Sequence, residues 1–319
     1  MSVFDHEISF EKYTLEMSFP KIAFIIPCHN EEISISYVVN NAKELFPESE
    51  VIVCDNNSSD ETAKVARRAG AHVVFEKQVG KGNAVRRLLR DIDADVFIMV
   101  DGDNTYDLSH LPTAVRKLID TDLDLLTGDR MMRTNKSNFR QGHDIGNKFF
   151  NYLFRFLFEI ETNDVFSGLR VFSRRLVKTF PIASSEFEIE TELTIYASRM
   201  RLPIADFPTQ VNLRVGSTSK LNTFKDGFKI LYFSFRLLHR EYPLKIYIPI
   251  ASINFILGAI GINSVLFEYI NTGQVPRLPS LIFSLFLLII SILFTLSGFI
   301  LKEISNIKYE NRYLSYLSK

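Results

Sequence analysis

The sequence predicts an α/β fold with a mostly parallel central sheet, followed by an interfacial amphipathic helix and two transmembrane helices. Three observations lead there. Short β-branched apolar runs alternate with helical patterns, polar and acidic residues follow the ends of those runs, and residues 244–301 are nearly continuous hydrocarbon. A β-α-β-α order of this kind implies parallel strands joined by right-handed crossovers.

Taken in order, the strand patterns are Ile22–Pro27, Val51–Cys54, His72–Phe75 and Asp95–Val100, with Leu123–Thr127 to follow. Glu31–Leu45, Asp60–Ala69 and Lys81–Leu89 read as the intervening helices. Glu31-Glu32 and Asp60-Glu61 suit helix N-termini, where acidic groups meet the positive end of the dipole. After Asp129 the pattern changes to an aromatic helix Asn147–Phe158, a strand Ser167–Phe172, a helix Phe187–Arg199 and a strand Ile204–Leu213. The expected division is a leader 1–20, a cytosolic domain 21–221, a juxtamembrane helix 222–243, a two-helix hairpin 244–301 and a tail 302–319.

Composition narrows the class. With a formal net charge of +0, no overall field argues for nucleic acid. Cys28 and Cys54 follow strand patterns and fall near one sheet edge; a reducing, cytosolic setting suits them better than a disulfide framework. No zinc-ligand pairing emerges among the six histidines. The N-terminal segment lacks a basic stretch followed by an apolar core, so no secretory signal is expected.

The C-terminal third points to a bilayer. Leu221, Phe224, Phe228, Ile230, Leu231, Phe235 and Leu238 spread over one face of Asn222–Arg240, while Lys225, Lys229, Arg236 and Arg240 carry positive charge elsewhere. Such a helix suits the headgroup region; packing against the soluble domain is the alternative. Leu244–Phe267 and Leu278–Leu301 each hold about 24 residues, which at about 1.5 Å per residue exceeds a hydrocarbon core of about 30 Å. Their short connection makes a hairpin, and Arg236, Arg240, Lys245, Lys302, Lys308, Arg312 and Lys319 place both ends in the cytoplasm, in an inner (plasma) membrane. Two core helices of a soluble protein remain the competing reading. Self-association through the hairpin is left open.

The chemistry gathers at the strand ends, since open parallel sheets bind ligands outside their carboxyl edge. The first strand runs into Pro27-Cys28-His29-Asn30-Glu31, the second into Asp55-Asn56-Asn57-Ser58-Ser59-Asp60 and the fourth into Asp101-Gly102-Asp103. Pro27, Asn30 and Glu31 can close over a nucleoside, and Asp55 can accept from its base or ribose. Gly80-Lys81-Gly82 opens a helix with glycines and a lysine, suited to close approach by phosphates, without Walker spacing. Asp101 and Asp103 can offer hard oxygens to Mg²⁺ or Mn²⁺ on a diphosphate; a solvated turn with helix capping by Asp103 or Asn104 is the alternative.

Together these segments, with Asp164-Val165-Phe166-Ser167-Gly168-Leu169-Arg170, Phe187-Glu188-Ile189-Glu190-Thr191-Glu192 and Arg214-Val215-Gly216-Ser217-Thr218-Ser219-Lys220-Leu221, resemble the family 2 glycosyltransferases of the GT-A (nucleotide-diphospho-sugar transferase) fold. The resemblance is to the polyprenyl-phosphate group in particular, the dolichol-phosphate mannose synthases and their bacterial relatives. It implies that Asp55 contacts the nucleotide and that Asp101 and Asp103 meet the metal-diphosphate. It sets Asp164 beside the sugar and the attacking oxygen, and has Glu190 contact sugar hydroxyls or orient the site. Arg130 and Arg140 would receive the acceptor phosphate, with Arg133 competing for the second place, and Arg214, Ser217, Ser219 and Lys220 would close on the phosphates. The implied reaction is an inverting transfer from a UDP-sugar, favoured over a GDP-sugar, to undecaprenyl or dolichyl phosphate, serving cell-envelope glycans or protein glycosylation. A lipid monophosphate is already anionic near neutrality, with a second pKa of about 6, so Asp164 as base and Asp164 as positioning group both stay open. Alternatives are transfer to a hydroxyl of a lipid-linked glycan, and an inactive nucleotide-sugar-binding scaffold. A processive synthase is set aside because the chain has no tryptophan for a Gln-x-x-Arg-Trp signature.

Overall fold

A computed structural model describes residues 20–130, 141–182, 184–185, 188–212, 223–275 and 277–318, without the side chains of 141–149 and 223–231. The elements run β1 (Ile22–Cys28), α1 (Ile35–Leu45), β2 (Glu50–Asp55), α2 (Thr62–Arg68), β3 (His72–Phe75), α3 (Lys81–Asp91), β4 (Val96–Met99), α4 (Leu111–Asp120), β5 (Leu125–Asp129), α5 (Gln141–Phe158), β6 (Arg170–Ser173), α6 (Arg174–Thr179), α7 (Ile189–Arg199), β7 (Ile204–Pro208), α8 (Thr223–Glu241), α9 (Leu244–Thr272) and α10 (Leu278–Leu317).

The seven strands form one sheet in the order β3-β2-β1-β4-β6-β5-β7. All pairs are parallel except those of β6, which runs antiparallel to β4 and β5. β1 shows why both faces must be covered. Phe24 and Ile26 enter the core on the side of α1, α2 and α4, while Ala23 and Ile25 enter the core against α3, α6 and α7, as the two-residue period of a strand requires. Cys28 and Cys54 are buried and free at the carboxyl ends of β1 and β2, as expected.

Several expected boundaries move for local reasons. α1 begins at Ile35 because Glu31 O accepts the Ser34 and Ile35 N–H groups after Asn30 turns at φ 56°. The strand expected from Ser167 begins at Arg170: Ser167 N–H closes a turn on Asp164 O, and Gly168 N–H donates to Tyr106 Oη at 2.7 Å. β7 stops at Pro208, and Val211 then bridges to Tyr106. α4, opened by Pro112 near its start, and the short α6 were not anticipated.

α8 does two things at once. Leu237 and Leu238 are buried with Phe154, Phe158 and Ile195, while Tyr232 and Phe235 are exposed. Of the expected apolar face, Leu238 packs on the domain and Phe235 is outward; its other members lie outside the described side chains. α5 is divided in the same way, with Phe154 and Phe158 buried and Tyr152 and Phe156 exposed.

α9 and α10 are long and apolar enough to cross a membrane, and only 17% of each apolar window is buried within the protein. A core helix of a soluble domain would be mostly covered. They pack through small residues: Gly258 and Gly261 face Ser284, and Ser291 Oγ donates to Ala251 O at 2.8 Å. α10 does not end with its apolar stretch. It spans 40 residues, about 60 Å, so 302–317, expected as a tail, continues the helix onto the α/β domain. There Tyr316 Oη donates to Asp124 Oδ2 at 2.7 Å, and the Arg199 guanidinium lies 4.1 Å from the Tyr309 ring centre.

Candidate active site

β2, β1 and β4 are adjacent in the sheet and deliver their carboxyl ends to one edge. The loops after β1 and β2 brace each other. Asn30 N–H donates to Ser58 Oγ at 3.0 Å, Asn30 Oδ1 accepts from Ser59 N–H at 2.8 Å, and Glu31 N–H donates to Thr62 Oγ1 at 2.8 Å. Asp60 accepts from the Glu32 and Thr62 N–H groups, and Glu32 returns the bond to Glu61 N–H. Pro27, paired with Cys54, lies under this brace within β1. Asp55 is buried, and its Oδ1 accepts from Ser58 N–H at 3.1 Å.

Asn56 joins this corner to α3. Its Nδ2 donates to Gln78 O at 2.6 Å and its Oδ1 accepts from Gly80 N–H at 2.6 Å. Gly80 sits at φ 132°, and a Cβ on Gly80 or Gly82 would strike the Ser185 or Ser184 carbonyl oxygen, so only glycine lets that segment lie over the start of α3. Lys81 projects from this first turn and pairs with both Asp101 and Glu190. Burial works to lower the Lys81 ammonium, but the two carboxylates outweigh it and hold Lys81 above its ordinary value. Burial pushes Glu190 up, against the pull of Lys81, and Glu190 Oε2 is buried with no hydrogen-bond partner among the described residues.

The Asp101-Gly102-Asp103 turn is held from both sides. Ser34 Oγ donates to Gly102 O at 2.7 Å. Asp103 Oδ1 accepts from Thr105 N–H at 3.0 Å within the turn; the next helix, α4, begins only at Leu111, so neither Asp103 nor Asn104 caps a helix. A Cβ on Gly168 would lie 2.4 Å from Asp101 Oδ2; the missing side chain is what lets the 164–170 loop touch Asp101. Asp164 is fully buried and held by the Arg130 fork, with Nε to Oδ2 at 2.5 Å and Nη2 to Oδ1 at 2.8 Å. Burial works to raise Asp164, but Arg130 outweighs it and keeps the carboxyl below its usual range.

The structure thus brings together Asp55, Lys81, Asp101, Asp103, Arg130, Asp164 and Glu190. The charges of Arg130, Asp101, Asp164 and Lys81 all act on Tyr106, and those of Glu31, Asp101 and Asp55 all act on Cys28. Arg133, Arg140, Arg214, Ser217, Ser219 and Lys220 lie outside the described residues. Two contributors were not assigned from sequence. Tyr106 holds Gly168 through its hydroxyl, but an aromatic three positions past an acidic turn reads as core. Arg170 is fully buried and donates to Ser167 O, Val165 O and Thr194 Oγ1, tying the Asp164 loop to α7. Its signal was its place in the Asp-x-x-Ser-Gly-x-Arg segment.

No group of three or more His, Cys, Asp or Glu forms a metal cage among the described residues. Asp101 and Asp103 offer carboxylate oxygens from one turn, and divalent cations that carry nucleotide phosphates commonly take one or two carboxylates and complete their shell with substrate oxygens and water. The donor set therefore fits a cation shared with a diphosphate.

Comparison with known proteins agrees with this geometry. Residues 23–180 match the profile described as Glycosyl transferase family 2. Over 249 residues the chain is 30% identical to Glycosyltransferase AglJ of Haloferax volcanii, covering 77% of this chain and 80% of that protein. Over 122 residues it is 47% identical to Protein RfbJ of Shigella flexneri, covering 38% of this chain and 95% of that protein. A dolichyl-phosphate hexose transferase of Haloferax volcanii is 29% identical, covering 67% of this chain and 92% of that protein. In fold, the chain matches glucosyl-3-phosphoglycerate synthase of Mycobacterium tuberculosis in complex with Mn²⁺ and UDP-glucose, with TM-score 0.54 and 22% identity over 69% of this chain and 78% of that one. The chain belongs to glycosyl transferase family 2, with a GT-A fold.

Proposed function

We propose that the protein is an inverting, metal-dependent glycosyltransferase that moves one sugar from a nucleotide-diphosphate sugar, UDP favoured over GDP, to a polyprenyl phosphate. The observation that carries the reading is the Arg130 fork on buried Asp164. A general base works best with a pKa near the operating pH, and Asp164 is held below the usual carboxylate range. A sugar hydroxyl would need that base. A lipid phosphate brings its own anionic oxygen and needs a cation with planar, paired donors, which an arginine supplies. The relative named dolichyl-phosphate hexose transferase supports the same acceptor class.

In this reading the resting site engages its own cations. Lys81 stands between Asp101 and Glu190, and Arg130 stands on Asp164. The donor diphosphate draws Lys81 toward phosphate oxygens, and the acceptor phosphate draws Arg130. Asp164 and Glu190 then orient the sugar while the acceptor oxygen displaces the nucleotide in line at the anomeric carbon. Asp101 and Asp103 would hold Mg²⁺ or Mn²⁺, which would supply positive charge to the departing diphosphate. Asp55 fixes the nucleoside, with the braced 27–31 segment beside it. The outward aromatic residues of α5 and α8 and the apolar α9 and α10 bring this site to the bilayer that holds the acceptor, the domain and both chain ends lying on the cytoplasmic side.

The test is a screen of radiolabelled UDP- and GDP-sugars with the full-length protein, Mn²⁺ or Mg²⁺ and undecaprenyl or dolichyl phosphate. Label extracted with the lipid is the expected outcome; label confined to water with every donor contradicts the proposal.

A further inference from the structure

α7 carries two buried glutamates two positions apart, and they face different parts of the protein. Glu190 accepts from Lys81. Glu192 divides its carboxylate: Oε2 accepts from both Ser184 N–H and Ser184 Oγ at 2.8 Å, and Oε1 accepts from Arg240 Nη2 at 2.8 Å.

Each end of this carboxylate leads somewhere definite. On one side, Ser184 O accepts from Arg86 Nη2 at 3.0 Å and Ser185 O accepts from Asn83 N–H at 3.3 Å. The same two carbonyls lie against Gly82 and Gly80. Residues 184–185 thus roof the first turn of α3, from which Lys81 reaches Asp101 and Glu190. On the other side, Arg240 is in the last turn of α8, just before α9 begins at Leu244. Its carbonyl accepts from Ser305 Oγ of α10 at 3.2 Å, and its Nε donates to Glu241 Oε1 at 2.6 Å. Glu241 Oε2 pairs with Arg199 at 2.9 Å, and Arg199 packs on Tyr309 of α10. One carboxylate therefore spans the gap between the base of both apolar helices and the roof of the donor lysine.

We propose that Glu192 and Arg240 are a positioning pair through which the membrane-proximal helices set the affinity for the nucleotide sugar. The proposal rests on the donor use argued above. Neither residue touches the reacting atoms. Their effect passes through Ser184 to the α3 turn, so it falls on donor binding rather than on the acceptor or the chemical step. Loss of the Arg240 charge removes its bond to Glu192 Oε1, which weakens the hold of the carboxylate on Ser184 and with it the seat of Lys81.

The test uses the full-length protein in lipid nanodiscs, with Arg240→Ala, Arg240→Lys, Glu192→Gln and the Glu192→Gln/Arg240→Ala double variant. Donor KM, acceptor KM, kcat, melting temperature and the Kd for UDP by calorimetry are measured for each. Arg240→Ala is expected to raise donor KM and UDP Kd about tenfold, the scale of one charge-assisted hydrogen bond. Acceptor KM and melting temperature stay near those of the parent, and Arg240→Lys recovers most of the loss. The double variant is expected to be no weaker than the weaker single one, because both changes break one link. Unchanged UDP Kd in Arg240→Ala overturns the proposal, as does a fall in kcat that tracks the melting temperature at constant donor KM. Arg240 is partly exposed, so its variants stay informative if Glu192→Gln fails to fold. If the parent binds UDP but makes no lipid product, the acceptor reading fails while the calorimetric arm still decides the pair.

Discussion

At the scale of single residues, Lys81 meets Asp101 and Glu190, Arg130 meets Asp164, and backbone N–H groups meet Asp55 and Asp103. Asp103→Asn replaces one of the two carboxylates proposed to hold the diphosphate cation with a neutral amide; turnover is expected to fall by about a hundredfold or more, with the melting temperature close to that of the parent. A scaffold without catalysis would show no turnover to lose. Asp164 gives a pH prediction whose sign can be worked out. Its folded pKa lies below its unfolded one because Arg130 outweighs burial. The stability it adds is therefore complete above the unfolded value of about 3.9 and disappears as pH falls through the lower folded value. Acid unfolding of Asp164→Asn should show a shallower pH dependence below about pH 4; identical curves would remove Arg130–Asp164 from the acid response. Gly168→Ala places a methyl on Asp101 Oδ2 and is expected to abolish turnover, which a kinetic assay with a folding control by circular dichroism would read.

At the scale of elements, the alternation of strands and helices was legible because β1, β2 and β4 are buried on both faces and read as continuous apolar runs ending in polar turns. Asp101 could be singled out because it stands at such an end, Lys81 because two glycines flank it at the start of α3, and Asp164 only through the family resemblance of its Asp-x-x-Ser-Gly-x-Arg segment. What the sequence did not give was partnership. That Lys81 pairs with Glu190, 109 positions away, depends on how α7 packs against α3. The boundary shifts at α1 and β6 have the same origin: Thr62 and Tyr106, from distant segments, take backbone N–H groups of those turns. The end of α10 was missed because Tyr309, Arg312 and Tyr316 read as a polar tail, whereas Asp124 and Tyr196 meet them. Burial and the bond to Asp124 push Tyr316 up to about 12. Its docking contribution is thus full below the unfolded value of about 10 and fades as pH rises toward the folded one. Tyr316→Phe is expected to lower stability by about 1 kcal/mol, seen as a lower melting temperature in detergent; no change would leave the docking to the neighbouring arginine–tyrosine contacts.

At the scale of the whole molecule, the proposed function joins the sheet edge to a bilayer. If α9 and α10 form a hairpin with both ends in the cytoplasm, a cysteine at Gln274→Cys should react with an impermeant maleimide added outside intact cells. One at Ser318→Cys should react only after permeabilisation. Cys28 and Cys54 are buried and leave a low background. Labelling of position 318 from outside would reverse the topology and separate the active site from a cytoplasmic donor. The central claim is that the new bond joins the anomeric carbon to a lipid phosphate. Phosphorus NMR of the purified lipid product tests it most directly. The account predicts that the monoester resonance of the polyprenyl phosphate is replaced by that of a sugar phosphodiester. A monoester that persists while sugar appears on a hydroxyl of the lipid fraction would contradict it.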